Sequence, residues 1–310
     1  MKQLTTLKWL LKREIWENKA MLFWSNLVLG GLILFTVPFF FRMSIATSNL
    51  DYFHDFQKER LLEMSSSYFS GGVTLFSILM VAVMYSYATS CMSDERKDRS
   101  IFFWKSLPIS DELTVVSKLI TALISFPLMV MVAFTATTLI SMFTIWIVFV
   151  IHGVNLFSQI FFDMDIWGKF WNIFSWFPIY VAWALPTVGW LMLVSAWVRK
   201  RAGMWAILIP VGISISVTIL NGVGSLGLDV HRISYILFFR GLCGIIPSNL
   251  ISNFYVNPTD QSVAATAIRL ASKTDLVNWD VVASPDLWLG VFVGGLMLFS
   301  AARIRRSRDD

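Results

Sequence analysis

Residues 128–151 read LMVMVAFTATTLISMFTIWIVFVI, a run without a single charge, glycine, proline or asparagine. About 20 apolar residues carry a helix across the ~30 Å hydrocarbon core of a bilayer. The run does not alternate polar with apolar positions, so it lacks the two-residue period of a membrane barrel strand. Upstream it stays apolar back to Leu113. At about 1.5 Å per residue, a helix over 113–151 overshoots the membrane. With no polar turn at its middle, the spacing predicts one long or tilted helix rather than a hairpin.

The rest of the chain is of the same kind. Of 310 residues 56% are apolar, with 26 Phe and 14 Trp, and only 15% are charged. Soluble domains average roughly a quarter charged, so a soluble enzyme is excluded. The reading is an all-α polytopic membrane protein, one transmembrane domain over 1–310. Six spans are expected at 21–41, 70–92, 113–151, 173–197, 204–223 and 286–302. Span 4 holds Pro178 and Pro186, which membrane helices tolerate where neighbours satisfy the freed carbonyls.

Residues 225–285 are expected on the outer side as a re-entrant region. Its apolar core, in 232–250, is about 14 residues long, interrupted by Arg240 and glycines and stopped by Pro247. That is too short for an ordinary span, and a central arginine would cost about 2.5–3.5 kcal/mol on insertion scales. Six spans place both termini on one side. Residues 1–20, 94–118, 199–201 and 303–308 hold 17 of the 25 Lys/Arg, so the positive-inside rule makes that side cytoplasmic.

Residues 1–20 carry no pattern of a cleaved leader. Leu4, Leu7, Leu11 and Ile15 recur at helical spacing, with Lys8, Lys12, Arg13 and Lys19 on other faces. The pattern predicts an amphipathic helix in the headgroup region, leucine side down, with Trp9 and Trp16 at the matching depth. It equally fits a helix packed on a partner protein. Cys91 and Cys243 fall on opposite sides of the membrane, which excludes a disulfide within the chain. His54, His152 and His231 are scattered, so neither a metal site nor clustered acid–base chemistry is expected. Ionisable residues are essentially missing from the middles of the spans, which argues against a proton- or sodium-driven carrier.

The principal cytoplasmic loop between spans is DERKDRSIFFWKSLPISDEL, 94–113. Asp94, Glu95, Arg96, Lys97, Asp98 and Arg99 form an unbroken charge run, followed by an aromatic patch of Ile101, Phe102, Phe103 and Trp104, then Lys105 and Leu107. Pro108 disfavours helix at Leu107. Ser110 is a suitable N-cap, and Asp111 and Glu112 then complement the dipole of the next helix. Such a segment either anchors in the headgroups or docks into a groove of a soluble partner.

An N-terminal amphipathic helix, six spans, this loop (most closely ERKDRSIFFWKSLPISD, 95–111) and a re-entrant segment before the last span together resemble the ABC-2 type permeases. These are the membrane subunits of one class of bacterial ATP-binding-cassette exporters, here of type V character. The residue-level resemblance is confined to the loop and the N-terminal helix. It implies that the loop is a coupling helix seated in a cleft of an ATPase subunit, with 94–107 as the contact. It implies further two ATPase copies, a second permease copy or a paralogue, export across the inner membrane and cargo such as an amphipathic lipid, peptide or drug. The sequence contains no G-x-x-x-x-G-K-[ST] phosphate loop, so ATP and Mg are expected on the partner and no cofactor or catalytic residue on this chain. No nucleic-acid partner is expected. Tyr85, Tyr87, Asn221 and Arg240 place polar groups in or near spans and are candidates for the translocation path, although interhelical hydrogen bonding explains such residues equally well. A non-ABC scaffold or channel subunit, a secondary carrier and a membrane-embedded enzyme are the alternatives.

Overall fold

Where water is excluded, each backbone N–H and C=O has to find its partner within the chain, and long apolar runs satisfy this as helices. A computed structural model of the chain describes residues 2–35, 38, 41–42, 56–98, 109–151, 153, 155, 157–163, 166–198, 200–224, 233, 236–245 and 282–307. Every regular element among them is helical. In chain order the helices are α1 (Lys2–Glu17), α2 (Lys19–Leu34), α3 (Phe56–Ser90), α4 (Ser93–Lys97), α5 (Asp111–Ile120), α6 (Phe126–Ile151), α7 (Ile166–Trp197), α8 (Ala202–Gly224) and α9 (Pro285–Ser307).

Five stretches are long and apolar enough to cross a membrane: Gly71–Lys97, Asp111–Ile151, Phe170–Trp197, Ala202–Val223 and Pro285–Ser307. They make this a multi-pass helical membrane protein. The expected span 21–41 is described as a continuous helix only as far as Leu34, within α2.

Several helices run past the edges that hydropathy sets. The polar stretch 43–68 is expected as an outer segment, yet α3 already begins at Phe56. Helix α7 starts at Ile166, inside the expected interfacial stretch 152–172. Helix α9 continues to Ser307 and carries Arg303, Arg305 and Arg306. Hydropathy registers the apolar part of a helix, whereas helical hydrogen bonding continues into water wherever packing or side-chain pairing supports it.

Asp111–Ile151 is one helical unit of 41 residues, interrupted by a π-helical turn at Thr121–Ser125. The amide of Phe126 there bonds the carbonyl of Thr121, five residues back. Pro127 follows immediately. Its ring would collide with the carbonyl four residues earlier in a regular α-helix, and a widened turn removes that clash.

Helix α7 lies against α3, α8 and α9 and shares its most extensive contact with α9. At that crossing Gly189 meets Gly294. A Cβ on Gly189 would stand 2.9 Å from the carbonyl oxygen of Gly294, and a Cβ on Gly294 would stand 2.2 Å from Leu185 Cδ2. The pair permits backbone contact of the kind small residues provide in membranes. Elsewhere in the bundle, Phe134 packs against Phe76 and Phe69, with ring centroids at 5.0 and 6.1 Å, and Phe170 closes the cluster 5.7 Å from Phe69.

Of the region 225–285, expected as re-entrant, residues 233, 236–245 and 282–285 are described, and Ile236–Arg240 forms a π-helical turn. Cys91 and Cys243 are both free thiols.

Candidate functional site

The charge run that opens the loop 94–113 does not project freely into water. Its first half is α4, and Glu95 on that helix is buried, 8% exposed. A buried carboxylate is tolerable only with cations in place, and three converge on it. Arg13 Nη2 lies 2.8 Å and Lys118 Nζ 3.0 Å from Oε1, and Arg305 Nη1 lies 2.8 Å from Oε2.

Those cations bring their own partners. Lys118 Nζ is 2.9 Å from Glu14 Oε1, and both side chains are only 2% exposed. Arg13 Nη2 reaches Glu14 Oε1 at 3.0 Å and Arg13 Nε reaches Glu17 Oε1 at 3.0 Å. Arg305 Nε reaches Asp111 Oδ1 at 3.2 Å. The phenol of Tyr87 donates to Glu14 Oε2 at 2.7 Å. Arg13, Lys118 and Arg305 thus face Glu14, Glu95 and Asp111, three charges of each sign, with Glu17 at the rim. Burial alone would lower the affinity of the Arg13 guanidinium for its proton, but Glu14, Glu17 and Glu95 around it raise its pKa above the ordinary arginine value. Its charge is fixed at any physiological pH.

The cluster joins four parts of the chain: α1 through Arg13 and Glu14, α4 through Glu95, α5 through Asp111 and Lys118, and α9 through Arg305. A fifth tie runs to α7. The guanidinium of Arg96 donates through Nη2 to the carbonyls of Ser195 and Val198, the latter at 3.1 Å. The last carbonyls of a helix lack intrahelical partners and carry the negative end of its dipole, so an arginine suits them. In return, Ser195 Oγ accepts the amides of Met92 and Ser93 at 3.2 and 3.1 Å. Helix α4 is too short to hold itself together. Its geometry is set from outside, by α7 at its start and by the ion cluster along its buried side.

On the far side of the loop, Ser110 caps α5, its hydroxyl accepting the Leu113 amide at 3.2 Å. The aspartate of that first turn, Asp111, also serves the cluster. Asp94 and Lys97 pair with each other at 2.7 Å and are about half exposed, so they face the solvent along with Asp98. Arg99, Ile101, Phe102, Phe103, Trp104, Lys105 and Leu107 lie outside the described residues, as do His54, His152 and His231.

The four path candidates are not brought together. Tyr85 donates to the Gly203 carbonyl at 2.7 Å, tying α3 to the first turn of α8. Tyr87 belongs to the ion cluster. Asn221, half-buried, lies 18 residues beyond Gly203 on α8, roughly 27 Å along the axis at 1.5 Å per residue. The backbone of Arg240 closes the π-helical turn after α8.

Sequence reasoning missed Arg13, Lys118 and Arg305 as partners of Glu95, and Glu14 as a second buried carboxylate that shares Arg13 and Lys118 with it. One local signal pointed to Glu14: it stands on the leucine stripe, three residues after Leu11 and four after Leu10, where an amphipathic helix has no use for a carboxylate. Comparisons with protein-family models, with curated proteins and with solved structures found no match to this chain.

Proposed function

We propose that this chain is the membrane permease half of an ATP-driven exporter of the ABC-2 kind. Six spans enclose the path with a second permease copy or a paralogue, and both termini face the cytoplasm of a bacterial cell. The loop 94–107 acts as the coupling helix, seated in a cleft of a separate ATPase of which two copies bind the dimer. ATP and Mg act on that partner. The cargo is an amphipathic lipid, peptide or drug-like molecule.

The observation that supports this reading best is the mounting of α4. A segment that transmits the closure of a partner has to be stiff, since a ligand moves an equilibrium only through contacts that differ between two states. Here the charge run is clamped by buried ion pairs to α1, α5 and α9 and by Arg96 to the end of α7. Any displacement of the loop is passed to four helices at once. A loop that merely anchored in headgroups would have no use for such a mount. Nor do these charges line a route through the bilayer: they sit at helix ends and are mutually neutralised, which weighs against a proton-driven carrier.

The test is reconstitution with an ABC ATPase subunit whose hydrolysis the wild-type chain stimulates. The variant Phe102→Ala/Phe103→Ala/Trp104→Ala is expected to lose co-purification with the ATPase and permease-dependent ATP hydrolysis. The same charges remain on α4 in this variant, so its own fold is expected to persist. Undiminished association and turnover in the triple variant would sink the proposal.

A further inference from the structure

The ion cluster fixes not only α4 but also the rotation of α1, and this turns the N-terminal helix the opposite way from its leucine pattern. Leu10 and Glu14 are buried, while Leu7, Leu11 and Ile15 are half-buried against the rest of the chain. From Leu7 to Ile15 the stripe therefore faces protein, while Leu4 is 73% exposed. The surface left outside carries Leu4, Lys8, Trp9, Lys12, Trp16 and Lys19, all exposed. Trp9 and Trp16 are 66% and 65% exposed, and Lys12 Nζ sits over both rings, 5.1 and 4.8 Å from their centroids.

We propose that this outer face of α1 is a binding surface for the headgroups of anionic phospholipids in the cytoplasmic leaflet. Charge is the first argument. The only acidic residues of 1–20 are Glu14 and Glu17; Glu14 is buried, and Glu17, about half exposed, pairs with Arg13 at the rim of the cluster. The outer face is left with three lysines and no carboxylate. Depth is the second argument. Glu14 shares its ion cluster with Glu95, Asp111 and Arg305, which stand at or near the ends of the stretches Gly71–Lys97, Asp111–Ile151 and Pro285–Ser307. Trp9, Lys12 and Trp16 flank Glu14 by less than two turns and so stand at headgroup height. Continuity is the third. Helical hydrogen bonds run across Asn18, from its amide to the Glu14 carbonyl and from the Leu22 amide to the Asn18 carbonyl. The exposed series Trp9, Trp16, Phe23 and Leu27 thereby passes directly into the apolar surface of α2. At the same level of α9, exposed Arg303 stacks over Phe299 at 5.2 Å, a second basic–aromatic contact of the sort found where indoles and cations meet phosphates. Between its two indoles Lys12 keeps its ammonium hydrogens available, and a phosphodiester oxygen is the acceptor that suits them.

The inference depends on the membrane character of the chain and not on the exporter reading, so its test contains no ATPase. The full-length protein is placed in nanodiscs of phosphatidylcholine doped with brominated phosphatidylglycerol or, at the same fraction, brominated phosphatidylcholine. The Trp9/Trp16 contribution to fluorescence quenching is taken as the difference between wild type and Trp9→Phe/Trp16→Phe. Quenching of that contribution by phosphatidylglycerol is expected to exceed that by phosphatidylcholine at least about twofold, and to weaken with salt. Lys8→Gln/Lys12→Gln/Lys19→Gln is expected to abolish the preference, and the corresponding arginine variant to keep it. Equal quenching by both lipids would overturn the proposal in favour of charge-blind aromatic anchoring. Quenching by neither lipid would overturn it as well, and would mark the face as covered by another protein.

Discussion

Glu95 shows how a single carboxylate can be expensive and indispensable at once. Three cations surround it, and deleting any partner of a buried pair leaves its counterpart uncompensated, at a cost of about 3–5 kcal/mol. Lys118→Met is therefore expected to lower stability by about that amount, because Glu14 and Glu95 would then share Arg13 alone between their Oε1 atoms. Tyr87→Phe removes only the hydrogen bond to Glu14 and is expected to cost less, about 1.5–3 kcal/mol for a bond to a charged acceptor. Asp94→Ala, which breaks the half-exposed pair with Lys97, should cost below about 1 kcal/mol. Thermal unfolding of the detergent-solubilised protein orders the three, and a Lys118→Met protein as stable as Asp94→Ala would contradict the cluster. These consequences could not be read from the sequence. Lys118 stands in the first turns of a run that hydropathy treats as membrane, and Arg305 looks like one more positive charge after a final span. Only packing brings Arg13, Lys118 and Arg305 to one carboxylate 82, 23 and 210 residues away in sequence. Asp94, Glu95 and their neighbours stand out in the sequence as a candidate stretch because charge beside aromatics is visible locally; what each of them touches is not.

Helices were the legible part of the molecule, and their crossings were not. The uninterrupted 128–151 run implied one long helix, and Asp111–Ile151 is one. Gly290 and Gly294 stand four apart, a spacing of small residues that lets another backbone approach, but spacing alone does not name Gly189 on α7 as the partner. The wide turn at Thr121–Ser125 was hidden because no residue within it demands it; the cause is Pro127 beyond its end. The α7–α9 crossing makes a sharp prediction. Gly294→Ala places a methyl within 3.0 Å of the Leu185 backbone as well as on its side chain. Backbone cannot rotate away as a rotamer can, so the helices have to separate, at about 1–3 kcal/mol. Gly212→Ala on α8 is the control, since nothing stands within 4 Å of the added carbon and alanine is the better helix former by roughly 1 kcal/mol. Opposite signs are expected in the unfolding temperatures of the two variants, and a neutral Gly294→Ala would mean that the crossing is looser than its geometry.

At the scale of the whole molecule, the ends of α1, α5, α7 and α9 that meet at the ion cluster form one body, held by α4 as the shared element. Lipid surrounds the remainder, and apolar side chains gain no hydrophobic advantage from meeting one another there. Cohesion at the water-facing end thus falls to charge, and the two termini contribute to it: α1 supplies Arg13 and Glu14, and α9 supplies Arg305. Arg305 reaches Glu95 with Nη1 and Asp111 with Nε, bridging the two ends of the loop 94–110 through one rigid guanidinium. Lysine offers a single point charge in place of that fork. Arg305→Lys is accordingly expected to retain the Glu95 contact and lose the Asp111 contact, whereas Arg305→Met loses both. Hydrogen–deuterium exchange at 93–97 reports the difference directly, because those amides are protected only as long as α4 is held in place. Exchange should rise slightly in Arg305→Lys and strongly in Arg305→Met, with the distant amides of α6 unchanged. On the exporter reading the same order should appear in permease-stimulated ATP hydrolysis, while binding of the ATPase to the intact aromatic patch persists. Retained stimulation in an Arg305→Met protein whose α4 exchanges freely would separate the two ideas: the clamp would stand as a device for stability, and transmission would have to run through Arg96 and the end of α7 instead.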